Sequence, residues 1–185
     1  ITQFKEKPKK EEVFSNLINA GSYLFEDSIF DYIPQGRSSL ERDIFPKLAH
    51  EGQLNGFSFE GYFIDAGTPK SWSLGVQASI ANKRWDSGKK FATNWYADDS
   101  INVDAKSTVE HTMLSKGATI NSASLTNCSL LENVTIGSHS RLIETLVGRD
   151  TIIGKNCVLN NVVIDHGSIL PDNTVLSDAQ WPIVE

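Results

Sequence analysis

Three short clusters in the first seventy positions carry groups able to do chemistry: Glu6-Lys7-Pro8, Asn19-Ala20-Gly21 and Asp65-Ala66-Gly67-Thr68-Pro69. A Lys fixed beside a Pro can pair with a phosphate, and a Glu can accept hydrogen bonds from sugar hydroxyls. A glycine lets the backbone approach a ligand closely. An Asp at a strand end, just before a helix, is suited to ligate magnesium. Each cluster alone has a plainer reading, Lys5 to Glu12 as a solvated charged loop and Asp65 as a turn or capping residue. No nucleophile–base pair stands out that would support a covalent intermediate. The two cysteines, Cys128 and Cys157, lack metal-ligand spacing and are too few for a disulfide scaffold.

The elements that must position these residues read as mixed α/β. Leu17 to Phe25 is expected to be a strand, and Ser28 to Ile33 a short helix stopped by Pro34. Ser38 and Glu41 fit a capping box opening a helix through Lys47, with Gly52 past its end. Leu54 to Asp65, with Phe57, Phe59 and Phe63, alternates as a strand or hairpin would. Thr68 followed by Pro69 reads as the cap and first turn of a helix whose packed face is Trp72, Gly75, Val76, Ser79 and Ile80.

Beyond residue 100 the chemistry of the chain changes, and Trp181 is the only aromatic there. Three aliphatic series run through this half. Val103, Ile120, Ile136, Ile153 and Leu170 form the first; Val109, Leu125, Leu142, Leu159 and Val175 the second; Leu114, Leu131, Val147 and Ile164 the third. Steps of 16 or 17 fit neither a helix nor a hairpin sheet, but they fit one coil per repeat with three short strands in each. Small residues four positions on (Ser107, Ser124, Ser140, Cys157 and Thr174 after the first series) suit sharp corners. This is the hexapeptide-repeat pattern of a parallel β-helix, in which each coil stacks on the next. The expected organisation is residues 1–83, a linker at 84–100, the β-helix at 101–178 and a tail at 179–185, with Trp181 capping the open end.

Composition bounds the whole. The chain has 185 residues, 39% hydrophobic and 22% charged, and a formal charge of −6, which argues against a nucleic-acid surface. No apolar run approaches the ~18–20 residues of a membrane crossing, and a cytoplasmic location is expected.

Order sharpens the three clusters. Phe4-Lys5-Glu6-Lys7-Pro8, Asn16-Leu17-Ile18-Asn19-Ala20-Gly21, Ser39-Leu40-Glu41-Arg42-Asp43-Ile44-Phe45-Pro46 and Gly61 through Pro69 follow one another and then give way to the repeat. Together they resemble the latter part of the catalytic domain of sugar-1-phosphate nucleotidyltransferases, nearest to mannose-1-phosphate guanylyltransferases with a hexapeptide tail. The resemblance implies α/β plus β: the C-terminal part of a Rossmann-like nucleotidyltransferase domain, then a left-handed parallel β-helix. It implies that Glu6 and Lys7 hold the sugar and its phosphate and that Asn19 and Gly21 line the sugar pocket. It also implies that Asp65 supplies a magnesium ligand, with Lys7 and Asp65 as the catalytic pair. Phe63 stands where the family often has Trp. The family's Gly-rich nucleotide loop and first metal-binding Asp are not in this sequence. A fragment inactive alone is therefore expected, completed by a nucleotide-binding portion and forming a homo-oligomer. The reaction implied joins a hexose 1-phosphate, mannose 1-phosphate foremost, to a nucleoside triphosphate, GTP foremost.

Two other classes compete. A non-catalytic regulatory or assembly subunit would explain the missing nucleotide loop, although it would have no need of Glu6, Lys7, Asn19 and Asp65. A hexapeptide-repeat acyltransferase would need a His general base, but His111, His139 and His166 fall in three different series. His50 lies near a helix end, where capping explains it.

Overall fold

The computed structural model describes residues 1–82, 84, 90–92, 95–97 and 100–182. They divide into two compact units, Ile1–Phe63 and Ile64–Glu185.

In the second unit the aliphatic series becomes a set of parallel ladders, because each coil presents the same residue type to its neighbour. The first series pairs as read: Val103 with Ile120, then Ile136, Ile153 and Leu170. The second runs Val109, Leu125, Leu142, Leu159 and then Leu176, not Val175. The third runs Leu114, Leu130, Val147, Ile164 and Trp181, so Leu131 gives way to Leu130 and Trp181 becomes the fifth member. Both corrections have one cause: two aliphatics stand side by side at each place, and a slip of one residue turns a side chain to the opposite face. Val175 is 68% exposed, whereas Leu130 is fully buried. The result is a parallel β-helix of about five turns.

The corners require backbone that ordinary residues avoid. His111, Asn127, Glu144, Asn161 and Asp178 stand at one corner with φ from 47° to 54°. Gly117, Asn133, Asp150 and Gly167 occupy the second, and Ser122, His139, Asn156 and Asn173 the third, all at positive φ. Gly, Asn and Asp dominate because they tolerate the left-handed region best. Inside the corners sit small groups: Ala118, Ala123, Cys128, Val134, Ser140, Thr151 and Cys157 are all buried. Ala123 takes the inward place expected for Ser124, because that coil has 16 residues rather than 17. The buried hydroxyls are satisfied locally; Ser140 Oγ donates to the Gly154 carbonyl at 2.8 Å and accepts from the Cys157 N–H at 3.0 Å.

Helix Pro69–Ala81 belongs to this unit. Thr68 caps it, accepting from the Ser71 N–H at 3.1 Å. Its buried residues Val76 and Ile80 pack with Met113 and Leu131, so the leucine displaced from the core is covered from outside by the helix. Gln77 Nε2 adds a hydrogen bond to the His111 carbonyl at 2.6 Å. Trp72, expected on the packed face, is 37% exposed. Within the stretch read as a linker, Lys90–Ala92 pairs antiparallel with Trp95–Ala97, which joins Met113–Leu114 in parallel. Most of the rest of that stretch, and the tail beyond Pro182, lie outside the described residues.

The first unit is built on a small core of Ile29, Ile44, Phe45 and Leu48. The short helix expected before Pro34 is a 3-10 turn, Asp27–Asp31. Ser39, not Ser38, caps the next helix by accepting from the Arg42 N–H at 3.3 Å. Its first turn, Leu40–Ile44, is a wide π turn leading into Phe45–His50. With the cap one residue later than expected, Glu41 falls at the second position, and Asp43, at the fourth, reaches back instead: its Oδ2 accepts from the Ser39 N–H at 2.8 Å. The strands expected at Leu17 to Phe25 and Leu54 to Asp65 do not form. A strand requires a ladder of hydrogen bonds to a neighbour, and neither segment pairs in one; Leu54 receives a single bond to its carbonyl, from the Ile1 ammonium at 2.7 Å. The run Lys5 to Glu12 ends in an exposed 3-10 turn, Lys10–Glu12, tied by a Lys5 Nζ to Glu12 Oε1 ion pair of 2.7 Å.

Candidate functional site

Asn19, Gly21 and Tyr23 alternate along one segment of the first unit. Gly21 adopts φ 70°, a conformation glycine enters at no steric cost. That turn brings its N–H to Asn19 Oδ1 at 3.0 Å. On the other side of the same carboxamide, Asn19 Nδ2 donates to the Tyr23 hydroxyl at 2.6 Å. The Tyr23 hydroxyl donates in turn to Glu41 Oε1 at 3.1 Å, and Ser39 Oγ donates to Glu41 Oε2 at 2.9 Å. The Tyr23 ring meets Phe45 edge-on, with centroids 4.9 Å apart, which anchors the phenol to the unit's core.

The electrostatics follow from these contacts. Burial is the first cause raising the Tyr23 phenol above its ordinary value; Glu41 and, more weakly, Glu6 push the same way, while the Asn19 donor opposes them. Glu41 is held below the usual carboxylate range, first by its own backbone N–H and then by the Ser39 hydroxyl. Lys7 takes φ 46°, a backbone region that costs a non-glycine residue about 1–2 kcal/mol.

Of the residues singled out from sequence, Glu6, Lys7, Asn19 and Gly21 lie in the first unit, and Asn19 and Gly21 are bonded directly to each other. Asp65 lies in the second unit. It is exposed, and its Oδ1 accepts from the Gly67 N–H at 3.1 Å, directly before the Thr68 cap. One carboxylate oxygen is left for a ligand. No group of three or more His, Cys, Asp and Glu residues able to hold a metal occurs among the described residues. Asp65 thus offers one oxygen to a ligand and is not part of a protein cage for a metal among the described residues.

Tyr23 and Glu41 were not among the site residues expected from sequence. Tyr23 had no usable signal as a strand neighbour, since no strand forms there and the turn at Gly21 is what brings its hydroxyl to Asn19. Glu41 had none either, because its place depends on the cap falling at Ser39 and on a contact 18 positions away. His111 and His139 stand at the first and third corners of the β-helix, and His166, directly before Gly167 of the second, accepts from the Arg149 N–H through Nδ1 at 2.9 Å.

Comparison with known proteins accounts for both parts of this arrangement. Residues 1–81 match the nucleotidyl transferase family and residues 98–180 the GlmU-like C-terminal hexapeptide family. The first part of the chain is thus similar to nucleotidyltransferases and the second, a parallel β-helix, to hexapeptide-repeat proteins. Among curated relatives, the mannose-1-phosphate guanyltransferase of Neurospora crassa is 26% identical over all of this chain and 57% of its own length. That of Schizosaccharomyces pombe is 28% identical over 98% of this chain and 56% of its own length. Mannose-1-phosphate guanyltransferase beta-B of Xenopus laevis is 30% identical over 97% of this chain and 52% of its own. The chain therefore spans little more than half the length of the curated relatives it matches. A solved serine acetyltransferase isoform 3 of Entamoeba histolytica, in complex with cysteine, overlaps 63% of this chain and 48% of that one. Its TM-score is 0.38 and its identity 15%, too slight a likeness to bear on function. No helix among the described residues is long and apolar enough to cross a membrane.

Proposed function

We propose that the protein to which this chain belongs is a sugar-1-phosphate nucleotidyltransferase, with mannose 1-phosphate and GTP as its substrates. The chain supplies the sugar-phosphate side of that site. The observation that carries the reading is the Asn19 carboxamide, held by Gly21 and Tyr23 in the same unit as Glu6 and the strained Lys7.

In this reaction an oxygen of the sugar 1-phosphate attacks the α-phosphorus of the nucleotide. A new P–O bond forms, the α–β phosphoanhydride bond breaks, and pyrophosphate leaves with the electron pair. Alignment and charge neutralisation are the catalytic work. Glu6 and Asn19 bind sugar hydroxyls, Gly21 lets the backbone approach the ring, and Lys7 offsets phosphate charge. Asp65 would hold magnesium, which when bound shields the phosphates and draws charge off the leaving group.

The nucleotide-binding portion lies outside this chain in our reading, and the chain alone is inactive. Supporting this, the first unit exposes large apolar side chains, with Leu24 99%, Phe57 91% and Leu17 77% exposed. The β-helix serves contact between copies, in the cytoplasm.

The test is pyrophosphate release by the complete protein, with GTP and mannose 1-phosphate. Turnover should be seen, and Asp65→Ala should lower it on the order of 100-fold. A complete protein that releases no pyrophosphate with any sugar phosphate and nucleotide would overturn the enzyme reading and leave an assembly subunit.

A further inference from the structure

The geometry points to Glu41 as a positioning residue that acts through the Tyr23 hydroxyl to fix the Asn19 carboxamide. This deepens the proposed function and rests on it only for the identity of the ligand, a sugar 1-phosphate.

The direction of every hydrogen bond in the chain is determined. Glu41 is ionised and can only accept, so the Tyr23 hydroxyl spends its one proton on Oε1. The Tyr23 oxygen must then accept from Asn19, which puts Nδ2 on that side. The Gly21 N–H can only donate, which independently puts Oδ1 on the other. Both ends of the carboxamide are therefore assigned without ambiguity. Asn19 keeps one N–H and one oxygen lone pair uncommitted, a donor and an acceptor for the hydroxyls of a sugar ring.

Remove the carboxylate and the logic fails at its origin. The Tyr23 proton is then free to rotate toward Asn19, and the carboxamide loses its reason to present Nδ2 there. Glu41 can play this part because Asp43 has taken the capping role at Ser39. Ser39 Oγ holds the far carboxylate oxygen and so fixes the carboxylate itself.

The experiment uses the complete protein and four variants. Tyr23→Phe keeps the ring against Phe45 and removes only the hydroxyl; Glu41→Ala removes the acceptor; Glu41→Gln restores an oxygen acceptor without charge; Asn19→Ala removes the presented group. Tyr23→Phe and Glu41→Ala should each raise KM for the sugar phosphate about three- to tenfold, the worth of one oriented hydrogen bond. Neither should change KM for the nucleotide, and Glu41→Gln should recover most of the loss. Either variant combined with Asn19→Ala should add nothing to Asn19→Ala alone. A second readout needs no catalysis. The side-chain amide resonance of Asn19, in selectively 15N-labelled protein, should shift in Glu41→Ala and Tyr23→Phe and return in Glu41→Gln. An unmoved Asn19 resonance in Glu41→Ala overturns the inference. A moved resonance with no effect of Asn19→Ala on sugar-phosphate KM upholds it and overturns the sugar-site reading instead.

Discussion

Cys128 lies wholly inside the β-helix, with its Sγ donating to the Thr126 carbonyl at 3.3 Å. Burial pushes its thiol from the ordinary 9.0 up to about 12, against smaller lowering contributions from the Thr145 and Thr126 backbone. The native state therefore holds this proton to higher pH than the unfolded chain does. Its contribution is intact below pH 9 and is lost as pH rises from there toward 12. We expect urea midpoints to fall across that range, and to fall less steeply in Cys128→Ala; equal slopes would contradict the burial. Cys157 is also buried, so a thiol reagent at pH 8 should modify neither cysteine until denaturant is added. At this scale the sequence was legible for contacts between near neighbours along the chain, such as the turn that bonds the Gly21 N–H to Asn19 Oδ1. It was not legible for Glu41, whose partner Tyr23 is 18 positions away.

The corner residues show how far a repeat can be read at the scale of an element. Glu144 sits at φ 49° in a column otherwise filled by His111, Asn127, Asn161 and Asp178. Its side chain is exposed, but the backbone N–H bonds the Thr126 carbonyl at 2.9 Å, so the corner is held from the neighbouring coil. Glycine there removes the left-handed penalty, and a β-branched residue enlarges it. Glu144→Gly should be neutral or stabilising by up to about 1 kcal/mol, and Glu144→Val destabilising by about 1–2 kcal/mol. Urea unfolding of the pair measures this, and equal midpoints would mean that the corner does not enforce its φ. The coils themselves were visible from spacing because every turn repeats the same burial. The errors fell where Leu130 adjoins Leu131 and Val175 adjoins Leu176, since spacing alone cannot choose between neighbours of equal hydrophobicity. The expected strands of the first unit failed for a different reason. Their alternation was real, but a strand is a relation between two segments, and no second segment is present among the described residues.

For the molecule as a whole, the two units differ in how their backbone groups are satisfied. In the β-helix, coil after coil donates to the next: Thr119 to Val134, Thr135 to Thr151 and Ile152 to Ser168, all at 2.8–2.9 Å. These amides flank residues such as Ile136 and Ile153 that are 0–1% exposed. Opening one coil breaks ladders to both neighbours and uncovers core on two sides, so the solenoid should open only in large cooperative steps. The first unit has its regular structure in four short helical turns, and the segments 13–25 and 53–63 contain no ladder at all. The bonds seen there are isolated ones, such as Leu17 N–H to Ser15 Oγ at 3.0 Å and Gln53 N–H to the Leu48 carbonyl at 2.8 Å. Hydrogen exchange followed by mass spectrometry on this chain should therefore find peptides from 119–170 the slowest. Peptides from 13–25 and 53–63 should exchange within seconds at neutral pH. In the complete protein, the same two segments should slow if they gain strand partners from the nucleotide-binding portion, whereas the solenoid should be unchanged. Equal exchange of these segments in both contexts would mean that the exposed Leu17, Leu24, Phe57 and Phe59 are not covered there, and would remove the support they lend to a shared catalytic domain.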